Sequence, residues 1–461
     1  MTVQWRTFVV IIAFAVYGLI LLLPSFADLS SSGQAVLAIA AAGTVLWISE
    51  AIPVGATGLI VLALLGCNRG VRAADPFAGF ASEVTVFLIG IAGISTGVEV
   101  SGLAERAARM LLGAARGNPH RLYWQMIASF PVMALLLPSA ITRNAILIPA
   151  YETAIDVLQI DRGGQLKRAV MLTLGMLNPL ASSALLTGGI TAIAAGSLLG
   201  GFSWLGWFCL MAPPYYALML GGAVVVNVMT GIPRSGAHVN NPGKVERLSP
   251  TEVRTLFVLA GTCVLWLTDS IHKLSPAVPA LIGAIALQLP WIGVATWKEF
   301  EARLSWNLIL TVAGSLSLAA AMTNTGTAAW LGQQFVAQFP SMAAHSVLLI
   351  LTLIAASAVV HLAITNLAAC IGLLIPVAVT VAQTTQLNPT VCGLIVTLTI
   401  NTVVLYPAQT ASNLLAYNSC HFSAADVRRL GLAMFALNII IVLCAIPYWN
   451  LLGLPLDAEA G

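Results

Sequence analysis

Charge is what this chain lacks. Asp, Glu, Lys and Arg make up only 8% of its 461 residues, against roughly 25% in a soluble domain. Few side chains can then face water, and a mostly apolar surface calls for a hydrocarbon surround. The 20 basic and 17 acidic residues leave a net charge of +3, too little to argue for nucleic acid. The seven cysteines, Cys67, Cys209, Cys263, Cys370, Cys392, Cys420 and Cys444, stand singly, with no CxxC pair and no His at ligand spacing. They read as small packing residues rather than a metal site or a disulfide frame. A nucleophile–base pair, a phosphate-binding glycine loop and metalloenzyme spacing are also missing, which argues against an enzyme.

What is present is 59% hydrophobic residues. A helical span needs about 20 mostly apolar residues. Candidate spans are 6–27, 34–51, 53–67, 84–103, 122–160, 168–200, 203–229, 253–270, 275–294, 306–326, 344–382, 389–418 and 430–454. The run Phe8–Leu23 lacks a small-residue cleavage site and leads into further apolar spans, so it reads as a first transmembrane helix rather than a signal peptide. The expected fold is all-α and polytopic. Four long spans are broken, at Pro138-Ser139, Thr187-Gly188-Gly189, Thr365-Asn366 and Tyr406-Pro407. Non-helical backbone at membrane depth survives only where protein or a water-filled cavity satisfies it, so the breaks point to a transport site.

Basic clusters set the expected orientation. Arg106, Arg109, Arg116 and Arg121 precede the first broken span, Arg234, Lys244, Arg247 and Arg254 fill the central loop, and Arg428 and Arg429 precede the last helix. The loop at Asp28 and the tail after Leu451 carry no Lys or Arg. This predicts an inner-membrane, multi-pass protein with a cytoplasmic N-terminus and an external C-terminus. Ser249-Pro250-Thr251-Glu252 predicts a helix start with an N-cap, Pro at N1 and an acid at N3.

The two halves resemble each other. Leu46-Trp47-Ile48-Ser49-Glu50 recurs as Leu265-Trp266-Leu267-Thr268-Asp269, and Ala140-Ile141-Thr142-Arg143-Asn144 as Ala363-Ile364-Thr365-Asn366. The implied organisation is an N-terminal helix (1–32), a first repeat (33–229), a cytoplasmic linker (230–254) and a second, inverted repeat (255–461).

Arg143 lies inside an apolar run, where a buried arginine costs about 2.5–3.5 kcal/mol on insertion scales. Its planar fork suits a carboxylate substrate. Two alternatives stay open: a pairing with an intramembrane acid such as Glu99 or Glu152, or a surface turn. His361 to Asn366 and the unwound Gln409–Thr410 supply the small polar groups and freed carbonyls that a hard cation needs. Glu50 and Asp269 read as structural.

Leu46-Trp47-Ile48-Ser49-Glu50-Ala51-Ile52-Pro53-Val54-Gly55-Ala56-Thr57 resembles the aromatic-[IV]-[ST]-E-A-I-P-x-x-A-T segment of the divalent anion–sodium symporter family, the di- and tricarboxylate carriers. Pro407-Ala408-Gln409-Thr410-Ala411-Ser412-Asn413 with His421-Phe422-Ser423 resembles that family's P-x-x-T-x-x-N and H-F-[ST] segments. The resemblance implies eleven transmembrane helices, two re-entrant hairpins, a homodimer and elevator-type alternating access. It also implies hairpin tips that hold sodium and substrate through Ser-Asn-Thr motifs. Ser139-Ala140-Ile141 departs from that motif and Thr365-Asn366-Leu367 keeps its first two positions, while Pro138-Ser139 with Arg143 resembles the P-S-x-T-A-R form of exchanger-type members.

The expected function is secondary active carriage of a small organic anion, a di- or tricarboxylate, across a lipid bilayer, coupled to a cation. A sodium-independent exchanger, a passive channel and a membrane scaffold are the alternatives. The candidate substrate lining is Ser139, Thr142, Arg143, Asn144, Thr365, Asn366, Thr410 and Asn413. The candidate sodium ligands are Ser139, Gly196, Thr365, Asn366 and Gln409, with at most one well-formed position, in the second half.

Overall fold

The computed structural model describes residues 3–68, 75–103, 105–106, 110, 118–157, 164–233, 247–339 and 345–457. Arg109, Arg116, Arg234 and Lys244, and with them most of the expected linker, lie outside the described residues. Every extended element among the described residues is helical. Nine helices there are long and apolar enough to cross a membrane, with three shorter apolar ones beside them.

The first half runs α1 (Val3–Leu22), α2 (Ser31–Ser49), α3 (Val54–Cys67) and α4 (Glu83–Ser101), then α5 (Pro119–Leu136) and α6 (Ala140–Val157). After these come α7 (Gln165–Met176), α8 (Asn178–Ser183), α9 (Ile190–Leu198) and α10 (Trp204–Thr230). The second half runs α11 (Pro250–Leu267), α12 (Asp269–His272), α13 (Ala277–Ala286), α14 (Trp297–Arg303), α15 (Trp306–Asn324) and α16 (Thr327–Gln338). It ends with α17 (Ser346–Ala363), α18 (Leu367–Thr384), α19 (Pro389–Thr402), α20 (Ala411–Tyr417) and α21 (Ala424–Leu451). The expected span 275–294 is the least accurate. Its helix stops at Ala286 and turns follow, with Gly293 N donating to Leu289 O. The short helix α14 had no counterpart among the expected spans.

The breaks fall where polar and Pro/Gly residues interrupt the apolar runs. Helices α5 and α6 meet at Leu137–Ser139, and α17 and α18 meet at Ile364–Asn366, making two helical hairpins. Asn366 Oδ1 accepts from Ala369 N at 2.9 Å and so caps the second arm. The chain unwinds again between α8 and α9, through a 3-10 turn at Leu186–Gly188, and between α19 and α20, through one at Pro407–Gln409. The start of α11 is the capping box expected there: Ser249 N donates to Glu252 Oε2 at 2.7 Å, and Glu252 N to Ser249 Oγ at 3.2 Å.

The halves interlock through close backbone approach. Helix α3 packs along α15, and α4 along α13. A Cβ on Gly314 would sit 2.7 Å from Gly58 Cα, and one on Gly90 would sit 2.8 Å from Ala280 Cβ, so only glycine allows these crossings.

Hydrogen bonds fix the two ends of the bundle. Tyr448 Oη donates to Cys209 O and Trp449 Nε1 to Leu210 O, so α21 runs antiparallel to α10. One end then carries the ion pairs Arg106–Glu252 (2.6 Å), His421–Glu152 (3.0 Å) and Arg168–Asp426. The opposite end carries the bond from Ser275 Oγ to Glu83 (2.6 Å) and the contact of Leu387 with Asp457 near the C-terminus.

Candidate functional site

The first hairpin tip is held by Arg143, which is completely buried. Its Nε donates to Asn178 Oδ1 at 3.0 Å, and its Nη1 to the Leu137 and Pro138 carbonyls at 2.5 and 3.1 Å. Its Nη2 donates to Asn178 O at 3.0 Å and Ser182 Oγ at 2.5 Å. A guanidinium has five N–H donors, and all five are taken by neutral oxygens. Both acids considered as partners for Arg143 are engaged elsewhere, Glu99 with Arg303 at 2.8 Å and Glu152 with His421 at 3.0 Å. Asn144 extends the network. Its Nδ2 donates to Leu174 O (2.8 Å) and Ser412 Oγ (2.7 Å), and its Oδ1 accepts from Asn178 Nδ2 (2.7 Å). Arg143, Asn144 and Asn178 thus tie the first hairpin to the two unwound segments.

Against this framework lies a cavity of about 480 Å³, within the usual range for a small-molecule site. The first hairpin tip lines it with Ser139 and Thr142, the first unwound segment with Thr187–Thr191, and the second half with Asn401, Thr410 and Ser412. The opposite wall is α4 with Ser95, Thr96 and Glu99, and the junction of α14 and α15 with Arg303 and Ser305. Glu99 and Arg303 are the charged lining residues among those described. Lys298, Glu301 and Arg303 on α14 are exposed, so this end of the cavity is its mouth.

Of the eight residues expected to contact substrate, Ser139, Thr142 and Thr410 line the cavity. Arg143, Asn144 and Asn413 are fully buried and do not line it. Thr365 and Asn366 do not line it either; Thr365 Oγ1 donates to Glu50 Oε1 at 2.6 Å, on the C-cap of α2. Of the five expected sodium ligands, Ser139 alone lines the cavity. The Gly196 carbonyl accepts from Gly201 N at 2.9 Å. Gln409 folds into its own loop, Oε1 accepting from Leu405 N at 2.7 Å and Nε2 donating to Val403 O at 2.9 Å.

The atom that suits a hard cation is elsewhere in the same unwound segment. Asn413 Oδ1 is buried without a partner, while its Nδ2 donates to Pro407 O at 3.2 Å. An orphaned amide oxygen is the donor type sodium takes, so this atom fits the ion, while the Tyr406 and Pro407 carbonyls face its Nδ2. Ser95 Oγ, in the cavity wall, is also buried and unpartnered. Sequence reasoning missed Ser95, Ser182, Asn401 and Arg303 as lining. The one signal available for Asn401 was its place just before a break.

Broken helices and a hairpin tip around a cavity whose mostly apolar lining carries a few hydroxyls, in an all-helical apolar bundle, define a membrane transporter. The family description "Sodium:sulfate symporter transmembrane region" matches residues 3–455, and the chain belongs to that family. A membrane protein of Cupriavidus necator is 25% identical, over 98% of this chain and 94% of its own. An uncharacterized transporter of Haemophilus influenzae is 25% identical, over 90% of each chain. The L-tartrate/succinate antiporter of Escherichia coli is 24% identical, over 79% of this chain and 78% of its own. The family is one of symporters and the latter two relatives are named as transporters, in line with the expectation that the chain is not an enzyme.

Proposed function

We propose that the chain is a secondary active carrier of small organic anions, di- or tricarboxylates, working by elevator-type alternating access as a homodimer in the inner membrane. The observation that carries this reading is the cavity at the first hairpin tip, where Ser139, Thr142, Thr410, Ser412 and Asn401 stand in a mostly apolar lining backed by the Arg143 guanidinium. The named activity of the E. coli relative gives the substrate class its support. Helices α2–α4, α11, α13 and α15, locked through Gly58, Gly90 and Gly314, form the static wall. The hairpins and broken helices form the moving part, and the two halves are inverted repeats. The N-terminus and the basic end of the bundle are cytoplasmic and the C-terminus is outside, so the cavity mouth at Glu99 and Arg303 opens inward.

In this reading Ser139 and Thr142 donate hydroxyls to one substrate carboxylate. Arg143, with its donors spent on the tip, adds field rather than contact. Sodium, when bound, would supply positive charge from behind the cavity wall, with Asn413 Oδ1 as the side-chain oxygen to hold it. The test is uptake of a labelled C4 dicarboxylate into proteoliposomes, with internal counter-substrate and with or without an inward sodium gradient. Saturable uptake accelerated by either one is expected. Uptake that stays linear in concentration would indicate a channel, and its absence under every gradient would overturn the carrier reading.

A further inference from the structure

Arg303 is the one cation that lines the cavity among the described residues, and it is not saturated. Its Nε donates to Glu99 Oε2 at 2.8 Å and its Nη1 to Glu299 O at 3.3 Å; its Nη2 has no partner among the described residues. The Arg303 side chain is 40% exposed and that of Glu99 26%. The pair is therefore wet, and its net contribution to stability is small. Its position is what distinguishes it. Glu99 stands one helical turn beyond Ser95 on α4, whose buried hydroxyl faces the same cavity without a partner. The same cavity is lined by Ser139 and Ser412 as well as by this pair.

We infer that Arg303 is the specificity-determining residue that reads the second charge of a dianionic substrate, with Glu99 as its resident carboxylate when the cavity is empty. The inference rests on the carrier reading above. A guanidinium with three free N–H groups can take a second carboxylate without first releasing Glu99, or exchange one carboxylate for the other, since the fork geometry is the same for both. A monoanion seated at the hairpin tip gains nothing from it. Glu99 keeps the mouth from holding an unpaired cation, and so sets how tightly a dianion is held against release.

The experiment measures uptake of a C4 dicarboxylate and of a C4 monocarboxylate into proteoliposomes by the wild type, Arg303→Gln, Arg303→Lys and Glu99→Gln. Arg303→Gln is expected to raise KM for the dianion about 10-fold, equivalent to about 1.4 kcal/mol, and to leave the monoanion's KM unchanged. Arg303→Lys should recover only part of the loss. Glu99→Gln should lower KM for the dianion about 3-fold, since a competing carboxylate is gone. Equal losses for both anions in Arg303→Gln would make Arg303 structural and overturn the inference, as would a dianion KM the same as the wild type's. Failure of the wild type to take up any dianion would instead overturn the carrier reading, and the inference with it.

Discussion

Arg143→Ala should unfold the first hairpin tip rather than merely weaken a substrate contact. The side chain satisfies five oxygens, and two of them, Leu137 O and Asn178 Oδ1, have no other partner among the described residues. Pro138 O keeps a donor in Ser182 Oγ, at 3.0 Å. Each buried acceptor left unsatisfied costs about 1–3 kcal/mol, so the two together amount to about 2–6 kcal/mol before the lost packing of the side-chain stem. For a chain of this size that corresponds to a fall of about 2–6 °C in apparent Tm. The assay is thermal denaturation in detergent, followed by size-exclusion recovery, beside uptake in proteoliposomes. Arg143→Ala is expected to lose stability and transport together. Arg143→Lys should recover little, because an ammonium offers three donors where the fork offers five. An alanine variant that melts with the wild type yet shows a raised KM for one anion over another would refute this reasoning and make Arg143 a direct ligand of the substrate.

Three further outcomes follow from the geometry. Asn413→Ala should raise the sodium concentration for half-maximal uptake about 10-fold while leaving the anion KM at saturating sodium near its wild-type value. Sodium dependence left intact in Asn413→Ala would remove the orphaned Oδ1 from the cation site. Gly314→Ala should push α15 off α3, because its Cβ would sit 2.7 Å from Gly58 Cα. A stability loss of about 1–3 kcal/mol, the usual cost of overpacking, is expected in thermal denaturation, and an unshifted melting curve would show that the crossing is loose. A cysteine introduced at Asp457 should label with an impermeant maleimide from outside the cell and one at Lys298 only after lysis, and the reverse pattern would invert the proposed orientation.

The breaks in the helices were legible because they are chemically loud. Pro138, Gly188-Gly189, Thr365-Asn366 and Pro407 each interrupt an apolar run with residues that spoil or cap a helix, and each marks a real interruption in the fold. The Ser249 capping box was legible for the same reason, since its parts lie within four residues of one another. The site was less legible because its contacts are long-range. Arg143 could be seen to need a partner, but carbonyls and an amide carry no charge and leave no pattern in a sequence. They lie at Leu137, Pro138, Asn178 and Ser182, not at the acids that composition suggests. Glu99 and Arg303 are 204 residues apart, and α14 was not among the expected helices.

The same contacts bear on how a dianion could be accommodated in so weakly charged a chain. Two negative charges in a mostly apolar cavity with a few hydroxyls need positive charge nearby, because burying an ionised carboxylate without compensation is expensive. The protein's fixed supply is small and uneven. Arg143 lies behind the hairpin tip, with every donor committed, so it offsets charge at a distance and stays with the tip. Arg303 has donors free, but it sits on the opposite wall, next to an acid. If the tip moves and the wall does not, a dianion that leaves Arg303 behind loses that compensation during the crossing. Something must then travel with it, and the unpartnered Asn413 Oδ1, in the segment that Asn144 ties to the tip through Ser412, is where an accompanying cation would be carried. On this view the asymmetry between the halves is functional. The first half carries its positive charge covalently as Arg143, and the second half provides the oxygen that can borrow one from solution.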